Sequence, residues 1–176
     1  MRIETERLAL RPLEINDLYT VHEYASDIEN TEYMLYLPNR ALDDTRRFLS
    51  RAILECEKEN PAFYEFAITL DGKHIGAVSL YLDAPNNEGE LGWILSKKYW
   101  GNGYALEAAL AVKEFAFDTL GLGKLVAHCD SRNTASEKLM RRIGLQVESR
   151  DGIRKYPDAR GSAGEYKYSL RRTSSV

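Results

Sequence analysis

Two glycines one residue apart, Gly101 and Gly103, lie in the segment Ser96-Lys97-Lys98-Tyr99-Trp100-Gly101-Asn102-Gly103-Tyr104-Ala105. A strand-like run, Glu90 to Leu95, leads into it and a long helical pattern leads out. Glycine lets the backbone turn tightly and come close to a ligand. The unpaired amides of the first helical turn then converge where the helix dipole favours negative charge. Such a loop suits a phosphate or pyrophosphate, with Lys97 and Lys98 adding positive charge at its rim. The same glycines also fit a plain strand-to-helix turn. No Gly-Lys-Ser/Thr follows, so the loop is not a P-loop. A dinucleotide fold would open with its glycine loop after the first strand, whereas here an antiparallel half comes first.

The elements that must position this loop can be read from hydrophobic period and punctuation. Arg7 to Arg11 alternates as a strand and is closed by Pro12. A helix is expected from a cap at Asn16, with Leu18, Val21 and Ala25 on its apolar face. A second helix is expected from Asp43 to Lys58. Strands follow at Phe63 to Leu70 and Ile75 to Leu82 around the turn Asp71-Gly72. Another turn, Pro85 to Gly89, leads to the strand Glu90 to Leu95. The pattern then predicts a helix over Tyr104 to Leu120, a strand over Lys124 to Cys129 and a short helix over Thr134 to Ile143. Thr134 and Glu137 have capping-box spacing, and Gly144 closes the short helix. Strands at Leu145 to Ser149 and Glu165 to Arg171 flank a basic loop with Arg154, Lys155 and Arg160. The fold class is therefore a mixed α/β (α+β) sheet of about seven strands, antiparallel first and β-α-β-α-β-β after. Thr173 to Val176 read as a frayed tail.

Composition narrows the function classes. The 176 residues are 44% hydrophobic and 29% charged, with a net charge of −3, enough apolar material for a core. The charge gives no general attraction to nucleic acid or to an anionic membrane. The longest apolar run, Ala108 to Val112, is too short to span a bilayer, and Met1 to Glu6 has no signal-peptide character. A cytoplasmic protein is expected. Cys56, Cys129, His22, His74 and His128 lack metal-ligand spacing, so no metal is expected.

Four segments in series resemble one family. Thr5 to Pro12, Glu90 to Leu95, the loop Tyr99 to Ala105 with Glu107-Ala108, and Asn133 to Ser136 followed by Ile143-Gly144-Leu145 are similar to the GNAT N-acetyltransferases. Within them the chain most resembles the Rim-type branch, whose members acetylate ribosomal-protein N termini. The resemblance implies a single acetyltransferase domain over 1–176 with splayed central strands. It also implies acetyl-CoA as co-substrate and transfer of acetyl to a primary amine by direct attack in a ternary complex. The acceptor would be a protein N-terminal amine or a small amine, and the protein a possible homodimer. The amides of Trp100, Gly101, Asn102, Gly103, Tyr104 and Ala105 would hold the pyrophosphate. The backbone of Ile94 and Leu95 would run beside the pantetheine, and Asn133 and Ser136 would approach from the next helix. Lys98 stands where the family pattern usually has Arg or Gln. The two helices before the antiparallel strands and the loop from Asp151 to Gly164 would frame the acceptor pocket.

Glu90 matches a strand glutamate used as base in some family members, and shares one strand face with Gly92 and Ile94. It also reads as an ordinary strand-end carboxylate. Many members protonate the departing thiolate with a fourth-helix tyrosine, and counting from Asn133 puts Met140 there. Ser136, one turn earlier, is the substitute donor, or simply a helix-start hydroxyl. Tyr166 and Tyr168 are further donors to consider. The missing tyrosine also suits a second class, a non-catalytic coenzyme-A-binding regulatory or interaction module. Glu107 reads as a dipole complement, and Arg154, Lys155 and Arg160 as a solvated run or a selector of acidic acceptors.

Overall fold

The computed structural model describes residues 1–172, so the tail expected at Thr173 to Val176 lies outside the described residues. The strands are β1 (Ile3–Glu4), β2 (Leu8–Pro12), β3 (Phe63–Leu70), β4 (Lys73–Asp83), β5 (Glu88–Leu95), β6 (Lys124–Asp130), β7 (Gln146–Lys155) and β8 (Ser162–Arg171). The helices are α1 (Leu18–Ser26), α2 (Leu42–Cys56), α3 (Tyr104–Glu114) and α4 (Thr134–Arg142). The strands build one eight-stranded sheet in the order β1-β2-β3-β4-β5-β6-β8-β7. Every neighbouring pair is antiparallel except β5 and β6.

That parallel pair is also the shortest central pairing. Glu88, Gly89 and Glu90 face Lys124, Leu125 and Val126, and no pairing continues beyond them. Each strand nevertheless runs on, β5 to Leu95 and β6 to Asp130, so a gap opens between them toward the carboxyl end of β5. The expected splay is present.

Alternation along the strands divides the core in two. Leu80, Leu91, Leu95, Leu125 and Ala127 pack with α3 and α4 on one face. Phe63, Ala67 and Ile94 pack with α1 and α2 on the other. Fully buried Tyr168, Phe66, Met140 and Ile143 fill the first face.

Several elements differ from the sequence expectation. The additional strand β1 is two residues long, too short for period 2 to register. Residues Ile15–Asp17 form a 3-10 turn, and α1 starts at Leu18 rather than from a cap at Asn16. The long helix is α-helical only to Glu114 and continues as a wide π turn over Phe115–Thr119 before Gly121. β7 runs on to Lys155 and β8 begins at Ser162, so the closing strands form a longer hairpin than their alternating segments predict. β7 carries two register irregularities near Ser149, and all of its residues are exposed or half-buried, which erases the period-2 signal. Arg154 and Lys155 thus belong to a strand and not to a solvated loop.

Candidate active site

The glycine loop is shaped from both ends. Gly101 and Gly103 have φ of 79° and 81°, the left-handed region that L side chains rarely adopt. The loop's carbonyls are turned back into the protein: the Asn102 side-chain amide donates to the Tyr99 and Trp100 carbonyls at 3.2 and 3.0 Å. The Trp100 indole donates to the Leu95 carbonyl at 2.7 Å. Arg7 donates to the Asn102 carbonyl at 3.1 Å. No partner among the described residues takes the backbone amides of Gly101, Asn102 or Gly103. Helix geometry leaves the first-turn amides from Tyr104 free as well. The result is a row of donors facing outward at the start of α3.

Glu107 braces this loop rather than merely complementing the dipole. Its carboxylate accepts from the Thr5 hydroxyl (2.6 Å), the Arg7 amide (2.8 Å) and the Arg7 guanidinium (2.7 Å). Burial opposes ionisation, but these three donors hold its pKa below the usual range. The opening segment of the chain is thereby tied to α3.

The donors face a cleft of about 480 Å³ beside the carboxyl end of β5, between the start of α3 and α4. Trp93, Ile94, Leu95, Asn133, Ser136 and Leu139 line its inner walls. Ser96 donates its amide to the Ile75 carbonyl. Alternation therefore turns the main-chain groups of Trp93 and Leu95 away from β4 and into the gap, while those of Ile94 face β4. At the far wall the Asn133 side chain caps α4 by accepting from the Ser136 amide at 3.0 Å. The expected Thr134–Glu137 box does not form. Glu137 instead accepts from Tyr168 (2.6 Å) and Arg150 (2.7 Å). The Ser136 hydroxyl accepts from the Trp93 indole at 3.3 Å, which leaves its own proton free to be donated.

Several expected residues stand elsewhere. Lys98 pairs with Glu23 of α1 and does not line the cleft. Lys97 is held by Asp27 (2.7 Å) and Glu29 (2.8 Å), which raise its pKa to about 12. Neither lysine is a mobile rim charge, because acidic residues distant in sequence claim both. Met140 is fully buried in the core, so the turn after Ser136 shows Leu139 to the cleft. Tyr168 is fully buried and donates its hydroxyl to Glu137, which removes it as a donor toward the gap. Lys138 and Arg142, not singled out in sequence, line the cleft with no ion-pair partner among the described residues. Their i,i+4 spacing on α4 is the available signal.

At the apex of the gap, Glu90 accepts a hydrogen bond from His128 Nδ1 at 2.9 Å. Glu90 is the last residue of β5 paired with β6, and His128 lies two residues past its partner Val126. The pair therefore bridges the two strands where they part, with the Glu90 side chain 48% exposed and His128 25%. Nothing in the sequence around His128 marks it, since pairing across a parallel register is not a local pattern.

The segment between α1 and α2 forms the cleft's outer edge through Asn30, Tyr33 and Met34. It is clamped by the closing hairpin. Arg160 donates to the carbonyls of Thr31 (3.3 Å), Glu32 (2.9 Å) and Leu37 (2.8 Å). Arg154 reaches the Tyr33 carbonyl (3.3 Å) and pairs with Glu165 (2.6 Å). These arginines are engaged, not free to select an acidic acceptor. Asp130, fully buried at the end of β6, joins the same corner: it accepts from Arg132 (2.7 Å) and the Tyr156 hydroxyl (2.7 Å). Burial raises its pKa, but Arg132 and Tyr156 outweigh that and hold it at about 2 against an ordinary 3.8. A depressed folded pKa stabilises the fold above the ordinary value and loses that stabilisation as pH falls toward the depressed one. The urea midpoint is expected to fall more between pH 5 and pH 3 in the wild type than in Asp130→Asn. Parallel pH profiles of the two proteins would refute this.

Comparison with known proteins agrees with this geometry. The Acetyltransferase (GNAT) domain model matches residues 7–146. The spermidine N(1)-acetyltransferase of Escherichia coli K12 is 28% identical over 140 residues, covering 79% of this chain and 73% of that protein. A GNAT-family acetyltransferase from Bacillus anthracis superposes with a TM-score of 0.84 at 29% identity, covering 97% of this chain and 98% of the other. The ribosomal-protein acetyltransferase RimL, solved with coenzyme A, superposes at 0.84 with 17% identity, covering 97% and 98%, a likeness of fold alone. The chain belongs to the GNAT acetyltransferase family. It is an acetyl-CoA-dependent N-acetyltransferase in that class, and the expected mixed sheet with its splayed strands is the family's fold. Among the described residues no group of His, Cys, Asp and Glu is placed to hold a metal, and no helix is long and apolar enough to cross a membrane.

Proposed function

We propose that this chain transfers acetyl from acetyl-CoA to a primary amine by direct attack in a ternary complex, with Glu90 and His128 receiving the ammonium proton. One observation carries the reading: outward amides line a cleft beside the unpaired end of β5, and a carboxylate–imidazole pair bridges β5 and β6 where their pairing ends. The donor set fits the cofactor. The amides from Gly101 to Ala105 would hold the pyrophosphate, and the Lys138 and Arg142 charges would meet its remaining phosphate. The gap-facing main-chain groups of Trp93 and Leu95 would pair with the pantetheine amides. Acetyl-CoA supplies an activated acetyl thioester.

The chain's own groups then have three tasks. Glu90 orients His128, and the pair takes a proton from the acceptor so that a neutral amine attacks. The cleft walls of Trp93, Ile94 and Leu139 exclude water. The Ser136 hydroxyl would donate a hydrogen bond to the leaving thiolate and relay to it the second proton that the attacking nitrogen sheds, so that the serine ends neutral and the thiol leaves protonated. Support for a small amine or a protein N terminus as acceptor comes from the relatives' named activities, on spermidine and on a ribosomal protein. The test is thiol release from acetyl-CoA in the presence of a panel of small amines and N-terminal peptides. Amine-dependent release is expected. Acetyl-CoA binding with no release for any amine would favour the coenzyme-A-binding module instead.

A further inference from the structure

The wall of the cleft holds a buried donor with nothing to bond. Asn30, on the segment between α1 and α2, lines the cleft and is half-buried. Its side-chain oxygen accepts from the Lys97 amide at 2.7 Å, which fixes which way round the group stands. Its Nδ2 is shut off from solvent and has no hydrogen-bond partner among the described residues. That nitrogen carries two hydrogens, and both are left over. A buried donor without an acceptor bears the full cost of losing water, so each one in a folded protein calls for a reason. Arg154 Nε is also unpartnered, but the remaining nitrogens of its guanidinium already bond Glu165 and the Tyr33 carbonyl.

The place of Asn30 is set by its neighbours. Asp27 accepts from the Asn30 backbone amide at 3.0 Å, and Lys97 Nζ binds Asp27 at 2.7 Å and Glu29 at 2.8 Å. The residue is thus tied to the start of the loop that follows β5 through both its main chain and its side chain. Lys97 lies two residues past Leu95, the end of β5, and Tyr99 and Trp100 of the same loop also line the cleft. Asn30 therefore stands where β5 gives way to the row of outward amides. The carbonyls nearby in sequence to Lys97 are engaged: Leu95 accepts from the Trp100 indole, and Tyr99 and Trp100 accept from Asn102. Water does not reach Nδ2 either, so its acceptor has to arrive with a molecule that fills the cleft and displaces the atoms now covering it.

Resting on the acetyltransferase reading, we propose that Asn30 is a cofactor-binding residue whose Nδ2 donates to an amide carbonyl of the pantetheine arm while its Oδ1 keeps the Lys97 amide. A carbonyl oxygen has two lone pairs, so one that accepts from β5 can accept from Asn30 as well. Acidic Glu29 and Glu32 stand on the same stretch of cleft wall, which favours an uncharged acceptor over a phosphate at this point. One side chain then holds the arm and the loop after β5 together, and the outer edge of the cleft is fixed against the cofactor.

The test uses Asn30→Asp, which keeps an oxygen for the Lys97 amide and turns the donor into a second oxygen. Calorimetric titration is expected to show acetyl-CoA affinity about 10-fold below wild type. Adenosine 3′,5′-bisphosphate has the nucleotide end of the cofactor and no pantetheine. Its affinity should stay within about twofold of wild type, because a half-exposed charge away from those phosphates is screened. A parallel loss for both ligands would trace to the added charge or a disturbed fold and overturns the proposal. Unchanged acetyl-CoA affinity overturns it too. If the variant does not fold, a crystal structure of wild type with coenzyme A decides. Nδ2 is expected within about 3.2 Å of a pantetheine carbonyl oxygen, and a distance beyond about 4 Å from both carbonyls overturns the contact. A folded wild type that binds no acetyl-CoA overturns the acetyltransferase reading itself, so the two failures are distinguishable.

Discussion

Gly103→Val is expected to weaken acetyl-CoA binding by about 100-fold, measured by calorimetric titration. The φ of 81° at this position is a genuine outlier for a β-branched residue. Valine would force the peptide out of the left-handed region and re-aim the amides that open α3. Hydrogen bonds to a charged group contribute about 1.5–3 kcal/mol each, so losing two of them accounts for the expected factor. An affinity within about threefold of wild type would mean that the loop is only a strand-to-helix turn and that the pyrophosphate lies elsewhere. Gly101→Ala should fall between the two proteins, because a Cβ there meets open space and adds backbone strain alone.

Glu90→Ala and His128→Ala should each lower kcat by about 10²- to 10⁴-fold while acetyl-CoA affinity holds, the range expected for losing a general base. The double variant should be no slower than the worse single one, because two groups joined by a 2.9 Å hydrogen bond act as a unit. Kinetics at saturating amine and calorimetry on the same samples separate the two quantities. Additive losses would mean that the residues act independently. Unchanged turnover in both would end the proton-transfer assignment.

What can be read without the structure follows from where the physical constraint sits. The glycine loop is legible because positive φ is enforced locally, and glycine is the residue that tolerates it. Asn133 is legible as a cap because its partner, the Ser136 amide, is three residues away. The division into an antiparallel half and a crossover half follows from the change of hydrophobic period. Long-range partners are not legible. Lys98 sits beside the loop in sequence, but Glu23, 75 residues away, determines where its charge goes. His128 gains meaning only through a parallel register whose last pair is Glu90 with Val126. Met140 lies one turn beyond Ser136, yet the helix rotates it into the core.

The clamp that Arg160 and Arg154 place on the connection between α1 and α2 has a consequence for the order of synthesis. Every residue that lines the cleft at the start of α3 lies at or before Arg142, and the matched family region ends at 146. The carbonyls of Thr31, Tyr33 and Leu37 are nonetheless held by side chains made later. The outer edge of the cleft is therefore expected to be pinned only once the closing hairpin has been synthesised and has folded back.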